Sequence, residues 1–118
     1  SYAVVPIPLH PKRLKERGFN QAELLAVRVA AKLRIPLLTD ALQRITHNKP
    51  QAELSERTLR HENIKGCFST PTPGAVAKKN ILLIDDVHTS GATMTEAAHI
   101  LREAGAKKII ALVVARAN

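Results

Sequence analysis

Two adjacent carboxylates and a run of small hydroxyl residues follow an apolar stretch in the second half of the chain. Ile81 to Ile84 form an unbroken apolar run with the length and character of a strand that is buried on both faces. Asp85 and Asp86 come next, and we expect the strand to reach water there, because two adjacent carboxylates cannot remain buried without partners. The segment from Thr89 to Thr93 then leads into a helical pattern, so the sequence predicts a strand, a polar loop and a helix in succession.

This succession has the parts of a site for a sugar phosphate. Free backbone N–H groups at the start of a helix, next to several hydroxyls, suit a phosphate group. Carboxylates at the end of the preceding strand lie close enough to accept hydrogen bonds from a sugar diol. A phosphate cradle beside such carboxylates fits a ribose 5-phosphate.

A basic segment lies near the beginning of the chain. The first predicted strand, Tyr2 to Ile7, is followed by a predicted loop from Pro8 to Gly18 that carries Lys12, Arg13 and Arg17. A loop that follows a strand of a parallel sheet lies at the same edge as the other carboxyl ends, so these cations can reach an oxygen-rich group there. A solvated basic turn is the alternative reading.

Three stretches of the sequence carry a family resemblance. Ile81 to Thr93 resembles the 5-phosphoribosyl-1-pyrophosphate (PRPP) motif of type I phosphoribosyltransferases, in which an apolar strand precedes Asp-Asp and a Thr/Ser-Gly-x-Thr loop. Val5 to Ala26 is similar to the signature of the ComF/GntX family, whose members are associated with competence and DNA utilisation. Gln51 to Phe68 resembles a third conserved stretch of that family, so the resemblance covers nearly the whole chain.

The resemblance implies roles for individual residues. Asp85 and Asp86 would bind the ribose hydroxyls, directly or through Mg²⁺, and would be the catalytic pair. Lys12, Arg13 and Arg17 would contact pyrophosphate. The 5′-phosphate would be wrapped by a continuous loop, namely Val87, His88, Thr89, Ser90, Gly91, Ala92 and Thr93, within which His88 is read as a bystander. A flexible loop over the site would carry Arg44, Gln51, Ser55, Arg57 and Arg60.

Two other readings of the acidic pair fit the sequence less well. An apolar strand that ends in Asp-Asp is also typical of a Walker B element, but the chain has no Gly-x-x-x-x-Gly-Lys-Ser/Thr loop to hold the phosphates. The acidic pocket of a response regulator would not explain the Thr-Ser-Gly-Ala-Thr segment that follows. The histidines lack metal-ligand spacing, so we expect no zinc site in these residues.

The predicted elements give an α/β fold with an open, mainly parallel sheet and flanking helices. The resemblance implies that this fold is of the type I phosphoribosyltransferase kind. Asn20 is predicted to cap a helix whose core face is Ala22, Leu25, Ala26, Val29, Ala30 and Leu33. Short strands are expected at 42–45 and 64–69. The strand at 81–85, a helix from Ser90 to Ala104 with Met94, Ala97, Ala98 and Leu101 on one face, and a strand from Lys108 to Ala115 form a βαβ crossover.

Composition limits the classes of function. The 118 residues form one domain, 1–118, which the resemblance implies is truncated at its N-terminus, and no apolar run approaches the roughly 18 residues of a membrane span. A lone cysteine, Cys67, fits a reducing cytoplasm. The net charge of +8 favours binding of a polyanionic ligand. An aromatic content of 3% argues against a protein that binds single-stranded nucleic acid by stacking its bases on aromatic side chains.

Two functional classes remain open at this point. In the first, the protein transfers phosphoribosyl from PRPP, with Mg²⁺, to a nitrogen acceptor that the sequence does not identify. In the second, the fold serves without catalysis as a PRPP sensor or as a scaffold in DNA uptake. The second class would bind competence-machinery proteins or single-stranded DNA, and a homodimer is compatible with either.

Overall fold

The structure, a computed structural model, describes residues 1–9, 11–45, 66–86 and 91–114, and the side chains at positions 12, 13 and 114 lie outside that description. None of the helices within these ranges is long and apolar enough to cross a membrane. Five strands and three α-helices occur in them: β1 (Tyr2–Pro6), α1 (Pro11–Arg17), α2 (Gln21–Leu33), β2 (Gln43–Arg44), β3 (Phe68–Ser69), β4 (Asn80–Asp86), α3 (Gly91–Glu103) and β5 (Lys108–Val114). A 3₁₀ turn, Pro73–Ala75, precedes β4.

The main sheet is parallel, which confirms the predicted fold class. Its strand order is β1-β4-β5, with Val4 beside Leu82 and Leu82 beside Ile110. On the far side of β1, the chain near Leu37 makes one more parallel bridge. There the Val4 N–H donates to the Pro36 carbonyl at 2.8 Å, and the Leu38 N–H donates to the Val4 carbonyl at 2.8 Å. Strand β4, which carries the two aspartates, lies between β1 and β5 and is hydrogen-bonded on both sides.

A helix packs on each face of this sheet. On one face, Ala97 and Leu101 of α3 pack against Ile81 and Leu83 of β4, and Met94 and Ala98 pack partly buried beside them. On the other face, Ala26 and Ala30 of α2 pack with Val4 and Ile84. Fully burying one branched aliphatic side chain contributes roughly 1.5–3 kcal/mol, so these two layers hold β4 in the centre of the domain.

The prediction for α2 is confirmed at most positions and wrong at one. Ala22, Ala26 and Ala30 are buried, and Leu25 and Val29 are half-buried against the core. Leu33, by contrast, is 55% exposed. Leu33 is the last helical residue, and Arg34 after it adopts a left-handed conformation (φ 57°) that turns the chain back toward the sheet. Ile35 and Leu37, which are half-buried, pack on the core in place of Leu33.

The basic segment at 8–18 is a helix for most of its length, so the prediction of a loop there is wrong. Helix α1 begins at Pro11, where the fixed φ of proline suits a first helical position. It ends at Arg17, and the next residue, Gly18, has a φ of +82° and donates its N–H to the Leu14 carbonyl at 2.7 Å. Leu14 is the only apolar side chain among the six residues that follow Pro11 in this helix, so the segment has no hydrophobic periodicity to reveal it.

Asn20 joins the start of α2 to the end of β1. Its Oδ1 accepts a hydrogen bond from the Ala22 N–H at 3.0 Å, which confirms the predicted helix cap. Its Nδ2 donates to the Ile7 carbonyl at 3.1 Å, just beyond β1. One side chain therefore satisfies two backbone groups from different elements.

We predict that Asn20→Ala lowers the free energy of unfolding by about 1–3 kcal/mol, because it removes both the cap and the bond to Ile7. Asn20→Asp keeps the oxygen that caps α2 and loses only the donor to Ile7, so it should fall between the wild type and the alanine variant. Urea denaturation of the three proteins measures the difference. An alanine variant within about 0.5 kcal/mol of wild type would contradict the double role.

Candidate functional site

The carboxyl ends of β1 and β4 meet at one edge of the sheet. Pro6 lies beside Ile84 in the ladder, and the Ile7 N–H donates to the Ile84 carbonyl at 2.9 Å. Asp85 and Asp86 are the next two residues of β4. Helix α1 follows β1 after a short connection, so the acidic pair and the basic helix leave the sheet at the same edge.

The acidic pair is buried, which corrects the expectation that it reaches water. Asp85 is 3% exposed and Asp86 is 6% exposed. Burial is possible because both residues have partners within the protein, and β5 continues alongside them as far as Val114. The Asp86 N–H donates to Asp85 Oδ1 at 2.8 Å, and both residues have further interactions within the protein. Two acceptor-rich side chains are therefore held rigidly at the end of the central strand.

The first turn of α3 starts at Gly91, five residues after Asp86. Gly91 and Ala92 are exposed, and Thr93 is 4% exposed. A Cβ atom at Gly91 would have no atom within 4 Å, so the backbone of this turn has open space beside it. The unbonded N–H groups of a first helical turn attract an anion into such space. The predicted contacts from Val87, His88, Thr89 and Ser90 lie outside the described residues.

The three predicted pyrophosphate contacts all lie on α1. Lys12 and Arg13 are in its first turn, and Arg17 is its last residue and is exposed. The bond from Asn20 to the Ile7 carbonyl fixes the chain beyond α1 to the end of β1. The structure thus brings the backbone of α1 to the acidic edge, while contact of these side chains with a ligand stays a prediction.

The residues assigned to a flexible loop are divided by the structure. Gln51, Ser55, Arg57 and Arg60 fall outside the described residues. Arg44 lies on β2, which pairs antiparallel with β3, and its guanidinium stands 5.1 Å from the centre of the Phe68 ring. A cation over an aromatic face is a stabilising contact, so Arg44 has a structural role in this ribbon.

One polar contact beside the ribbon has no counterpart in the sequence analysis. Glu96 of α3 accepts a hydrogen bond from the Gly66 N–H at 2.8 Å through Oε2, at a glycine whose φ is +77°. A single glutamate on a helix carries no signal in its sequence spacing that identifies such a partner.

Burial raises the pKa of the neighbouring Cys67 thiol, although the charge of Arg44 opposes this, so the thiol stays protonated near neutral pH and acts as a packed apolar group.

The donor atoms at the acidic edge determine which metal ion could bind there. Within the described ranges, no group of three or more His, Cys, Asp or Glu side chains is placed to hold a metal ion. Asp85 and Asp86 supply two carboxylates at one strand end. Mg²⁺ is commonly bound through one or two carboxylates together with oxygens of a phosphorylated ligand. The pair of aspartates therefore suits a Mg²⁺ ion that is shared with such a ligand, and does not suit a metal ion held by protein side chains alone.

The relatives that the chain matches have names that refer to competence or to DNA utilization. The chain is 37% identical to competence protein F of Haemophilus influenzae over 98% of its own length and 50% of the relative's length. It is 39% identical to competence protein ComFC of Bacillus subtilis over 88% of the chain and 40% of the relative. It is 34% identical to the DNA utilization protein YhgH of Escherichia coli K12 over 90% of the chain and 45% of the relative. The chain spans about half the length of these relatives, and they confirm the resemblance to the ComF/GntX family.

Solved structures and a family model agree on the fold. Glutamine PRPP amidotransferase from B. subtilis, complexed with ADP and GMP, superposes with a TM-score of 0.62 at 21% identity, over 94% of this chain and 22% of that one. An allosteric regulatory enzyme of purine biosynthesis superposes with a TM-score of 0.60 at 22% identity, over 94% and 21%. The model of the phosphoribosyl transferase domain matches residues 20–118. Since that match takes in the acidic strand end, the helix that follows it and most of the sheet, the chain belongs to the phosphoribosyl transferase domain family.

Proposed function

We propose that this domain binds PRPP together with Mg²⁺ and transfers its phosphoribosyl group to a nitrogen acceptor, with release of pyrophosphate. The observation that carries the proposal is the pair of buried carboxylates, Asp85 and Asp86, at the end of the central strand, with the first turn of α3 beginning five residues after Asp86. Two fixed acceptors suit two neighbouring hydroxyls, and the helix start suits a phosphate. Ribose 5-phosphate has two neighbouring hydroxyls on one side of the ring, at C2 and C3, and a phosphate on C5.

In the proposed reaction, the lone pair of the acceptor nitrogen forms a bond to C1 of the ribose. The bond from C1 to the pyrophosphate oxygen breaks, pyrophosphate leaves with that electron pair, and the proton on the acceptor nitrogen passes to solvent. Asp85 and Asp86 orient the ring by accepting hydrogen bonds from its 2′- and 3′-hydroxyls. Arg13, Arg17 and Lys12 hold the leaving pyrophosphate through charge-assisted hydrogen bonds. When bound, Mg²⁺ would neutralise part of the pyrophosphate charge, with Asp85 and Asp86 as its protein ligands.

A second candidate is a non-catalytic role of the same site. Curated relatives carry names that refer to competence and DNA utilisation, and this chain carries a net charge of +8. Both facts favour a PRPP sensor or a scaffold for DNA uptake that works in the cytoplasm and binds protein partners or DNA. Isotope exchange between PRPP and pyrophosphate, measured on the full-length protein with a panel of nitrogenous bases, separates the two candidates, since only a transferase supports exchange.

We predict that PRPP with Mg²⁺ raises the melting temperature of the protein. A ligand that binds only the native state stabilises it by mass action, by about 2.7 kcal/mol when its concentration is 100 times its Kd. Differential scanning fluorimetry at millimolar PRPP measures the shift, and Mg²⁺ with inorganic phosphate serves as the control. A folded sample whose melting curve does not move would rule out the PRPP assignment.

We predict opposite effects of Gly91→Ala on stability and on binding. Alanine is the better helix former, and a Cβ here would meet no protein atom, so the free energy of unfolding should rise by up to about 1 kcal/mol. The same methyl group would occupy space next to the helix start and should weaken PRPP at least about tenfold, which corresponds to 1.4 kcal/mol. Gly74→Ala is the matched control, because a Cβ at Gly74 also meets nothing within 4 Å. Equal PRPP affinity for wild type and Gly91→Ala would place the phosphate elsewhere.

A further inference from the structure

Four lysines lie together at the amino ends of β4 and β5. Lys78 and Lys79 precede β4, Lys107 precedes β5, and Lys108 is the first residue of β5. The two strands are parallel, and Asn80 lies beside Lys108 in their register, so both pairs of lysines reach the same edge of the sheet. Lys78, Lys107 and Lys108 are exposed, and Lys79 is half-buried. Together these four residues form the lysine edge.

Two backbone hydrogen bonds hold the two pairs next to each other. The Lys78 N–H donates to the Gly105 carbonyl at 2.8 Å, and the Lys107 N–H donates to the Lys79 carbonyl at 2.8 Å. A Cβ at Gly105 would lie 3.4 Å from Ala77, so the two turns pack closely. Consecutive Cα atoms are about 3.8 Å apart and neighbouring strands about 4.8 Å, so the Cα atoms of the four lysines lie within roughly 10 Å. The fold itself therefore concentrates these charges.

The charge of the lysine edge is not balanced by carboxylates in the part of the chain that the structure describes. Glu103, the acidic residue nearest to these lysines in sequence, is paired with His99 at 2.8 Å, and none of the four lysines forms an ion pair there. Charges of one sign at this spacing repel each other, so an anion that bridges them is attracted by all of them. Lys78 also adopts a φ of +64°, a left-handed conformation that glycine adopts at lower cost.

The lysine edge and the acidic pair lie at opposite ends of β4. Asn80 and Asp86 are six residue steps apart (86 − 80), and each step of a parallel strand rises about 3.3 Å, which gives a separation of about 20 Å. The Debye length at physiological ionic strength is about 8 Å. The lysine edge is therefore too far from the acidic pair to hold the pyrophosphate of a ligand bound there, and its charge suits a different anion.

We propose that the lysine edge binds the phosphate backbone of DNA, which rests on DNA binding as the second candidate function and gives that function a surface. Duplex DNA carries one negative charge per about 1.7 Å of its axis, so a patch roughly 10 Å wide faces several phosphates at once. Lysines bind phosphates as point charges, and phosphate contacts do not read the bases. An aromatic content of 3% leaves few side chains for base stacking. Binding is therefore independent of sequence and compatible with PRPP at the acidic edge.

The test compares two variants of the full-length protein that lose the same charge. Lys78→Gln/Lys107→Gln removes one exposed lysine from each turn, and Lys15→Gln/Arg28→Gln removes two exposed cations from α1 and α2. Fluorescence anisotropy at several salt concentrations measures the affinity for a labelled oligonucleotide, as a single strand and as a duplex. We expect the lysine-edge variant alone to bind at least about tenfold more weakly.

The salt dependence identifies the contact and the form of DNA. The slope of the logarithm of the binding constant against the logarithm of the salt concentration should become smaller in magnitude by up to about 1.8 for a duplex and about 1.4 for a single strand. The form of DNA that shows the tighter binding and this change in slope is the ligand. Saturating PRPP with Mg²⁺ should leave the DNA affinity of the wild type unchanged, because the two sites lie at opposite edges.

A change in folding is separated from a change in binding by Lys78→Gly. Glycine adopts a φ of +64° without strain, so the melting temperature should stay the same or rise, while DNA affinity should still fall at least about threefold. A Lys78→Gly variant that binds DNA like the wild type would argue against contact at this residue and overturn the proposal.

The contrary results are distinguishable. Equal loss of DNA affinity in the two double variants, or loss in neither, would rule out the lysine edge as the DNA surface and leave DNA binding as a function of the protein. Absence of DNA binding by the wild type would remove both. Binding to vesicles that contain an anionic lipid, lost in the lysine-edge variant while DNA affinity is retained, would assign this edge to a membrane surface instead.

Discussion

Asp85→Asn/Asp86→Asn should abolish PRPP binding at millimolar concentrations and leave the protein folded. Each hydrogen bond between a charged acceptor and a ligand hydroxyl contributes about 1.5–3 kcal/mol, so loss of two weakens binding at least about a hundredfold. The amides keep the shape of the carboxylates in a site where both side chains are buried. Replacing two adjacent buried charges should therefore leave the melting temperature unchanged or raise it, as is common when functional residues are removed.

The matched control for this variant removes two carboxylates elsewhere. Glu23→Gln/Asp40→Asn makes the same change in net charge at two exposed positions. Isothermal titration of PRPP with Mg²⁺ into the three proteins, together with thermal melts, compares affinity and stability on the same samples. Wild-type affinity in the Asp85/Asp86 variant would show that the ribose hydroxyls bind elsewhere, whatever its melting temperature.

Arg13→Ala/Arg17→Ala should weaken PRPP far more than ribose 5-phosphate. Both arginines lie on α1, which leaves the sheet at the acidic edge, and ribose 5-phosphate has no pyrophosphate for them to hold. Loss of charge-assisted hydrogen bonds of this kind costs about 1.5–3 kcal/mol each, on the order of tenfold or more in affinity. The ratio of the two affinities isolates the pyrophosphate contact from any general effect on the site.

The same variant separates the two proposed functions. If α1 belongs to a nucleic-acid surface, PRPP affinity should be unchanged. The slope of the logarithm of the DNA-binding constant against the logarithm of the salt concentration should then become smaller in magnitude by up to about two. Arg28→Ala/Arg102→Ala removes two exposed arginines from α2 and α3 and controls for the lower net charge. Titration of PRPP, ribose 5-phosphate and DNA against the three proteins at two salt concentrations gives the comparison. We expect only the α1 variant to lose PRPP affinity selectively.

The elements that could be predicted from sequence are those whose signals are local. The crossover from β4 through α3 to β5 has an apolar run, a helical stripe and the stop at Gly105, which adopts a φ of +101°. The cap at Asn20 is likewise a matter of one side chain and the next two residues. Each of these features depends on the residue and its close neighbours in the chain, so the sequence pattern contains it.

The features that could not be predicted depend on neighbours that are distant in sequence. Asp85 and Asp86 are buried beside β5, which runs to Val114, and no local pattern gives the partners of a side chain or the length of a neighbouring strand. The bridge from Leu37 to Val4 and the bond from Glu96 to Gly66 join residues from separate elements. Helix α1 is the exception, since Pro11 and Gly18 mark its ends locally, but its lack of an apolar stripe concealed it.

The pairing of β1 with β4 has a consequence for the order of events during protein synthesis. Tyr2 lies beside Asn80, so the ribosome adds 78 residues (80 − 2) after Tyr2 before its partner in the ladder is made. At about 5–20 residues per second, β1 waits roughly 4–16 s for its central partner. Until then the short stretch near Leu37 is the one backbone partner of β1 among the described residues, and the apolar side chains of β1 remain available to other nascent chains. Pro6 and Pro8, which offer no N–H to an incoming strand, limit wrong pairing at the end of this segment during that interval.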